Sequence, residues 1–440
     1  MPPPGPDHVS AAAATAPQRG PSLVSVVWTC WALFVGMALV MLGNGLQGSL
    51  LGLRATLEGF STATTGLVMS GYFAGFAAGS VLAPRLVARV GHIRVFAALA
   101  SLASIVALTH LLSITPASWG LMRLATGFCY AGIYVVAESW LNDRAANEAR
   151  GQLLAVYMVV LLGGAAGGPL LLNLADPGGI TLFIVVSVLV SLGLIPILLT
   201  TGPAPRFEAP VKVRLRELYR ISPLGVVACG GMGVANGAMF GLGAVYAEKI
   251  GLSVALISLF LGSFFLGGVL WQWPVGWISD RFGRRWVLTG ATFLAALWAV
   301  LAVPAAAASV PGLMVLVWLF GGAHFPLYSL GIAHTNDRLE PEQMVAASSG
   351  LVLIAGSTAA LGPFSAAAAM SFVGPQGFFW FIAAVHGAVG LFALYRTGQR
   401  AAPPLDEQIP TIPVSSTSAV AGASAMESAR EEFERAHDEG

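Results

Sequence analysis

Gly276-Trp277-Ile278-Ser279-Asp280-Arg281-Phe282-Gly283-Arg284-Arg285 is a compact basic knot set between two apolar runs. The run before it extends from about 255 to 278, and the run after it from about 286 to 303. Each is near the roughly 20 residues a helix needs to cross the hydrocarbon core of a bilayer. Two spans joined by so short a charged loop form a hairpin, and short loops rich in Arg and Lys stay on the cytoplasmic side. The orientation of this hairpin therefore sets that of every other span.

Of 440 residues, 56% are hydrophobic and 10% are charged, and the mean hydropathy is +0.78. A soluble domain carries about 25% charged residues, so the composition describes a polytopic membrane protein embedded in a lipid bilayer. The net charge of +1 includes no basic domain, which excludes a nucleic-acid partner. Cys30, Cys129 and Cys229 lie singly in separate apolar runs. That pattern suggests buried thiols, with no metal knuckle and no disulfide framework. There is no phosphate loop, no metal-ligand spacing and no Ser-His-Asp signal in context. We therefore expect no enzyme, no cofactor, no metal, and no use of ATP by this chain; an ion gradient remains as the energy source.

Residues 1–22, rich in Pro, Ala and Gly, are expected to form a disordered cytoplasmic N-terminal tail. Apolar spans follow at about 23–47, 62–83, 95–115, 117–141, 151–174, 179–200, 223–246, 254–278, 286–304, 311–333, 345–371 and 377–395. With the N-terminus inside and every span crossing, all 22 Lys and Arg except Arg54, Arg123 and Lys249 fall on the cytoplasmic side. An even number of spans places both termini there. The domains are then a first six-helix bundle at 23–200, a linker at 201–222, a second bundle at 223–396 and a cytoplasmic tail at 397–440. The tail is read as solvated helix or disorder, with partner binding as the alternative.

Sliding the chain on itself by 192 residues superposes Asn44-Gly45 on Asn236-Gly237, Gly59-Phe60-Ser61 on Gly251-Leu252-Ser253, and Tyr72-Phe73 on Phe264-Phe265. Gly75 falls on Gly267, and Arg89-Val90-Gly91 on Arg281-Phe282-Gly283. At a shift of 194, Asn142-Asp143-Arg144 meets Asn336-Asp337-Arg338, and Gly168-Pro169 meets Gly362-Pro363. Coincident polar residues at matching loops indicate two six-span halves in parallel orientation, a transporter architecture.

These stretches resemble the major facilitator superfamily over about residues 23–396. The stretch from Gly276 to Arg285 is similar to that family's signature loop after span 8. The first-half copy keeps Arg89, Gly91 and Arg94 but has Pro84 and Ala88 where the loop's first Gly and Asp would stand. Arg123-Leu-Ala-Thr-Gly127 resembles the family's span-4 motif. Gly164-Ala-Ala-Gly-Gly168-Pro169 resembles the span-5 motif of its antiporters and implies a bend there. Tyr134-Val-Val-Ala-Glu138-Ser, Arg150-Gly-Gln-Leu-Leu-Ala-Val-Tyr157-Met and Gln272-Trp-Pro-Val-Gly276 are similar to the YcaD-like branch of bacterial carriers. The resemblance implies an all-α fold of twelve transmembrane helices in two pseudo-symmetric bundles, in the inner membrane of a bacterium. It further implies loops that latch the cytoplasmic side: Arg89, Gly91 and Arg94 in one half, and Gly276, Asp280, Arg281, Gly283 and Arg284 in the other.

Span 4 carries the polar chemistry. Arg123, Gly127, Tyr130, Tyr134 and Glu138 are spaced to share one helical face. Arg123 and Glu138 stand about 22 Å apart at 1.5 Å per residue and do not pair with each other. An ionic group inside a span faces a cavity or a partner. Arg123 either snorkels to the outer interface or lines a cavity, orienting substrate or tuning a proton carrier. Glu138 either joins Arg89 or Arg94 in the latch or carries a proton. Asn44, Gln47 and Asn236 are amides that bind substrate or bond between helices. His324, one turn before Tyr328, is a second coupling-proton candidate or a packing histidine, and His386 is read as packing or facing lipid. Arg54 and Glu58 form a local pair or gate, and Asp176 a solvated cap. The sum is a monomeric carrier that moves a small solute against protons, by export. Proton-coupled uptake, or a non-transporting sensor or assembly factor, is the alternative; Ala88 is the feature favouring a lost transport function.

Overall fold

The computed structural model describes residue 28 and residues 30–144, 147–199, 215–339 and 341–399. The expected tails, 1–22 and most of 397–440, and most of the linker 201–222 lie outside these residues; within the linker, Leu215–Ile221 is helical. Among the described residues twelve helices are long and apolar enough to cross a membrane. We number them as spans 1 to 12: Trp31–Leu57, Thr62–Val90, His92–Thr109, Pro116–Leu141, Val156–Leu174, Thr181–Leu198, Pro223–Lys249, Val254–Phe282, Arg284–Ala308, Val310–Asn336, Ala346–Val373 and Gly377–Thr397. The protein is a multi-pass, all-helical membrane protein.

Span 1 runs ten residues beyond its expected end at 47. Ser49 does not break it, because its hydroxyl donates back to the Gly45 carbonyl at 3.0 Å. Arg54 does not break it either, because Glu58 one turn on accepts from its Nε at 2.6 Å. The knot at 276–285 is almost all helix: span 8 continues to Phe282, span 9 begins at Arg284, and Gly283 alone makes the corner at φ 84. A residue with a Cβ is disfavoured at that φ. Its repeat equivalent Gly91 makes the same corner at φ 92. The other repeat pair, Gly59 and Gly251, ends spans 1 and 7 at φ 77 and 82. Ser61 and Ser253 then cap spans 2 and 8, accepting from the Thr64 and Leu256 amides at 3.1 and 3.4 Å.

Helices pack within each half through backbone contact at glycines. A Cβ on Gly127 would run into the Tyr72 carbonyl oxygen, and one on Gly75 into that of Leu124, so spans 2 and 4 touch backbone to backbone. The equivalent residues Gly321 and Gly267 do the same between spans 10 and 8, against Phe264 and Trp318. Spans 1 and 5 meet where a Cβ on Gly168 would lie 2.6 Å from the Leu46 nitrogen; Gly362 meets Gly237 in the same way between spans 11 and 7.

Three spans are interrupted. Span 5 tightens to a 3-10 turn at Leu171–Leu174, just after Pro169. Span 10 is broken at Phe325, where Pro326 removes a backbone donor and crowds the preceding turn. Span 11 is broken at Ala360, two residues before Gly362-Pro363. The halves meet at the end that carries the corners at Gly59 and Gly251. There Gly66 packs under Pro363 and Ala367, Gly52 against Val245, and the Asn173 amide donates to Ser258 Oγ at 3.1 Å.

Overpacking a helix crossing costs about 1–3 kcal/mol. Gly127→Ala is therefore expected to lower the thermal unfolding temperature in detergent, whereas Gly163→Ala, where an added Cβ meets nothing within 4 Å, leaves it unchanged. Equal melting temperatures for the two variants contradict the crossing.

Candidate functional site

Between the halves lies a cavity of about 1410 Å³, open solvent included. Its walls come from spans 1, 2, 4 and 5 on one side and 7, 8, 10 and 11 on the other. Among the described lining residues Arg123 is the one ionic side chain, and Phe73, Phe76, Phe240, Phe264, Phe265 and Phe325 supply aromatic surface. Asn44, Tyr134, Asn236 and Tyr328 line it as well. The repeat explains the arrangement: Asn44 and Asn236 are equivalent at a shift of 192, Tyr134 and Tyr328 at 194.

Arg123 is 3% exposed. Its guanidinium carbon stands 4.4 Å from the centroid of the Tyr72 ring, and Tyr72 in turn accepts at its hydroxyl from the Asn44 amide at 3.1 Å. Neither Nε nor Nη1 has a hydrogen-bond partner in the protein. The cation–π contact is worth about 2 kcal/mol when desolvated, while burying an ion costs several. The stacked ring thus leaves most of the desolvation uncompensated. His110, just beyond the end of span 3, adds no anion. It is buried against Trp119 and Phe183 and its Nδ1 lies 2.7 Å from the Val106 carbonyl oxygen.

Gln47, Tyr130 and His324 are outside the described lining. Gln47 is buried with neither end of its amide bonded. Tyr130 lies behind Tyr72, with ring centroids 6.3 Å apart. His324 Nδ1 lies 3.1 Å from His386 Nε2, and the Phe264 and Phe320 rings pack on it, so His386 is in protein packing and does not face lipid. Glu138 is 2% exposed and accepts from the Tyr157 hydroxyl at 3.3 Å. Arg89 and Arg94, weighed as its partners, are exposed. Gly164 and Gly168 pack on span 1 at Met41 and Gly45, and Pro169 lines the cavity.

At the corner between spans 8 and 9, Arg281 stacks on Trp277 at 3.8 Å, and Asp280 borders a side pocket with Gly276, Trp277 and Ser329. Arg284 is buried and pairs with the Asp337 carboxylate, also donating to the Ala333 carbonyl at 3.0 Å. In the first half His92 occupies the position equivalent to Arg284 and hydrogen-bonds Ser139 at 2.8 Å.

Sequence reasoning assigned no role to Tyr72, Gln272 or Asp337. Each was within reach of it. Tyr72 belongs to a superposed repeat pair. Gln272, which lines the cavity and donates to Ser329 at 2.8 Å, opens a quoted motif. Asp337 is the centre of a matched triplet.

Comparison with known proteins agrees with the fold. A family model described as Major Facilitator Superfamily matches residues 33–256 and 221–429. An uncharacterized MFS-type transporter YcaD of Salmonella arizonae is 30% identical over 371 residues, covering 83% of this chain and 95% of that protein. Its counterpart from Escherichia coli O6:K15:H31 is 30% identical over 374 residues, covering 84% and 96%. Among solved structures, the nucleoside transporter NupG (D323A mutant) superposes with TM-score 0.68 at 10% identity, covering 86% of this chain and all of that one. A bacterial homolog of the human lysosomal transporter Spinster, inward-facing and occupied, gives 0.69 at 15%, covering 86% and 98%. At such identities these two matches speak for the fold alone.

Burial pushes the Asp337 carboxyl up to about 6 from its ordinary 3.8, with Arg284 opposing the rise. Between those values the unfolded chain has released a proton that the folded chain still holds. The contribution of Asp337 to stability is therefore present below about pH 4 and is lost as the pH rises to about 6. The wild-type melting temperature, relative to that of Asp337→Asn, is expected to fall across this window and to stay level above it. Parallel curves for the two proteins contradict the assignment.

Proposed function

Because this chain belongs to the Major Facilitator Superfamily, it is a secondary transporter without enzymatic chemistry, and we propose that it exports a small solute by alternating access in exchange for protons. The observation that carries this reading is the shared central cavity, with one unpaired cation in its wall. The halves, 23–200 and 223–396, rock about that cavity within a single monomer. The bias of Arg and Lys puts both termini and the corners at Gly91 and Gly283 in the cytoplasm. The halves touch at the opposite end, which makes this the conformer open to the cytoplasm. Its exchange partner forms when Arg89, Gly91 and Arg94 close on Gly276, Asp280, Arg281, Gly283 and Arg284.

Asn44, Arg123, Tyr134, Asn236 and Tyr328 contact the solute. Gln47, Tyr130 and His324 stand behind that wall and support it. Glu138 is the group we assign to proton coupling: it is buried, hydrogen-bonded to Tyr157, and one helical turn after Tyr134 in the cavity wall. The stretch from Gly164 to Pro169, which packs span 5 on span 1 at the cavity edge, resembles the span-5 motif of the family's antiporters, and that resemblance is what favours export.

Solute flux in proteoliposomes with an imposed pH gradient tests this reading. Arg123→Ala is expected to fold and to retain less than about a tenth of wild-type flux, as loss of hydrogen bonds to a charged group worth ~1.5–3 kcal/mol implies. Glu138→Gln is expected to keep solute–solute exchange while losing the response to the gradient. Undiminished gradient-driven flux in either variant refutes the role given to that residue.

A further inference from the structure

The cavity says what kind of solute it takes. We infer that its ligand is an amphipathic organic anion, with a carboxylate or similar anionic head on Arg123 and a flat apolar body between the phenylalanines of the two halves. This deepens the carrier reading above and rests on it for treating the cavity as a solute site.

Three observations meet here. The first is charge. Arg123 is the one ionic residue among the described lining, it is 97% buried, and two of its three guanidinium nitrogens have no protein partner. A guanidinium keeps its charge and presents donors in a planar fork that matches a carboxylate. A cationic ligand would meet Arg123 with no acidic side chain among the described lining to offset the repulsion. A neutral ligand would leave the guanidinium without a counter-charge.

The second is the rest of the wall. Phe76 lies on one half and Phe240, Phe265 and Phe325 on the other. Phe240 and Phe265 stand edge to face at 4.9 Å. An inorganic anion would gain nothing from these rings, whereas a flat hydrocarbon body would bury against them. The third is directional. On the other half from Arg123, Asn236 and Tyr328 line the same cavity, and Asn236 Oδ1 and the Tyr328 hydroxyl lack protein partners. They accept from, or donate to, a polar group at the far end of the ligand. One end of the site is cationic, the middle is aromatic, and the other end is neutral and polar.

A matched set of probes tests this on the purified full chain in detergent: 1-naphthoate, 1-naphthamide and 1-naphthylmethylammonium, read by thermal shift and by titration calorimetry. Naphthoate is expected to raise the melting temperature and to bind at least about tenfold tighter than the amide, as a hydrogen bond to a charged group implies. The ammonium probe is expected not to bind. Arg123→Gln should abolish the preference for naphthoate over the amide, and Arg123→Lys should restore part of it. Asn236→Leu should weaken 6-hydroxy-2-naphthoate, which carries a hydroxyl at the end away from its carboxylate, while leaving the preference of naphthoate over the amide in place, which keeps the test informative if Arg123→Gln does not fold. Equal affinities for the three probes, tightest binding by the ammonium, no binding by any, or an undiminished naphthoate preference in Arg123→Gln each overturns the inference. Flux of the same probes in proteoliposomes separates the two claims. Anion-selective binding without flux supports this inference and contradicts the carrier reading; preferential flux of the ammonium probe does the reverse.

Discussion

A bilayer gives its helices no hydrophobic reason to pack on one another, because lipid tails are as apolar as leucine. Packing must come from close contact, and in this protein it comes from backbone touching backbone at glycines. The crossings occur in repeat-related pairs: Gly127 and Gly75 with Gly321 and Gly267, and Gly168 with Gly362. Each half is thereby locked internally, with helices too close to slide without collision. No such lock joins the halves across their middle. The central cavity lies there.

Among the described residues that line that space, one is a cation. The repeat makes this asymmetry plain. Amides come from both halves, as Asn44 and Asn236, and tyrosines from both, as Tyr134 and Tyr328. Arg123 has only valine at the equivalent positions, Val315 at a shift of 192 and Val317 at 194. Both halves therefore supply neutral polar groups and aromatic rings, and among the described lining the first alone supplies a charge. A site built this way distinguishes the two ends of its ligand. Tyr72 supports Arg123 from below through its ring face but cannot neutralise it, so the deficit is left for what enters the cavity.

Much of this architecture was legible in the sequence, since apolar run length and the distribution of Arg and Lys are direct consequences of the hydrocarbon slab. The residues at 276–285 gave the hairpin, and the repeat gave the two halves. What escaped was local and had local causes. Span 1, expected to end near 47, continues to Leu57; inside the packed helix Ser49 bonds back to Gly45 and Arg54 pairs with Glu58. Arg284 finds its partner far along the chain, since Asp337 arrives from just past the end of span 10, 53 residues away. Sequence spacing put Tyr130 and Tyr134 on one face of span 4, but only the angle at which span 2 crosses decides that Tyr72 covers the first and leaves the second open. Which of several face-sharing residues reaches a cavity depends on such crossing angles, and these are set by glycine contacts that a single sequence shows as composition alone.

The account rests on Arg123 and Asn236 facing one water-filled space between the halves. Accessibility of Asn236→Cys to a membrane-impermeant sulfonate thiol reagent tests this most directly, since the native cysteines at 30, 129 and 229 are buried and Arg123 is left in place to attract the anion. The account predicts rapid labelling by the sulfonate from one membrane face, slowed when Arg123 is also changed to Gln. Labelling only by a neutral, membrane-partitioning maleimide, with the sulfonate excluded from both faces, would place Asn236 against lipid and contradict it.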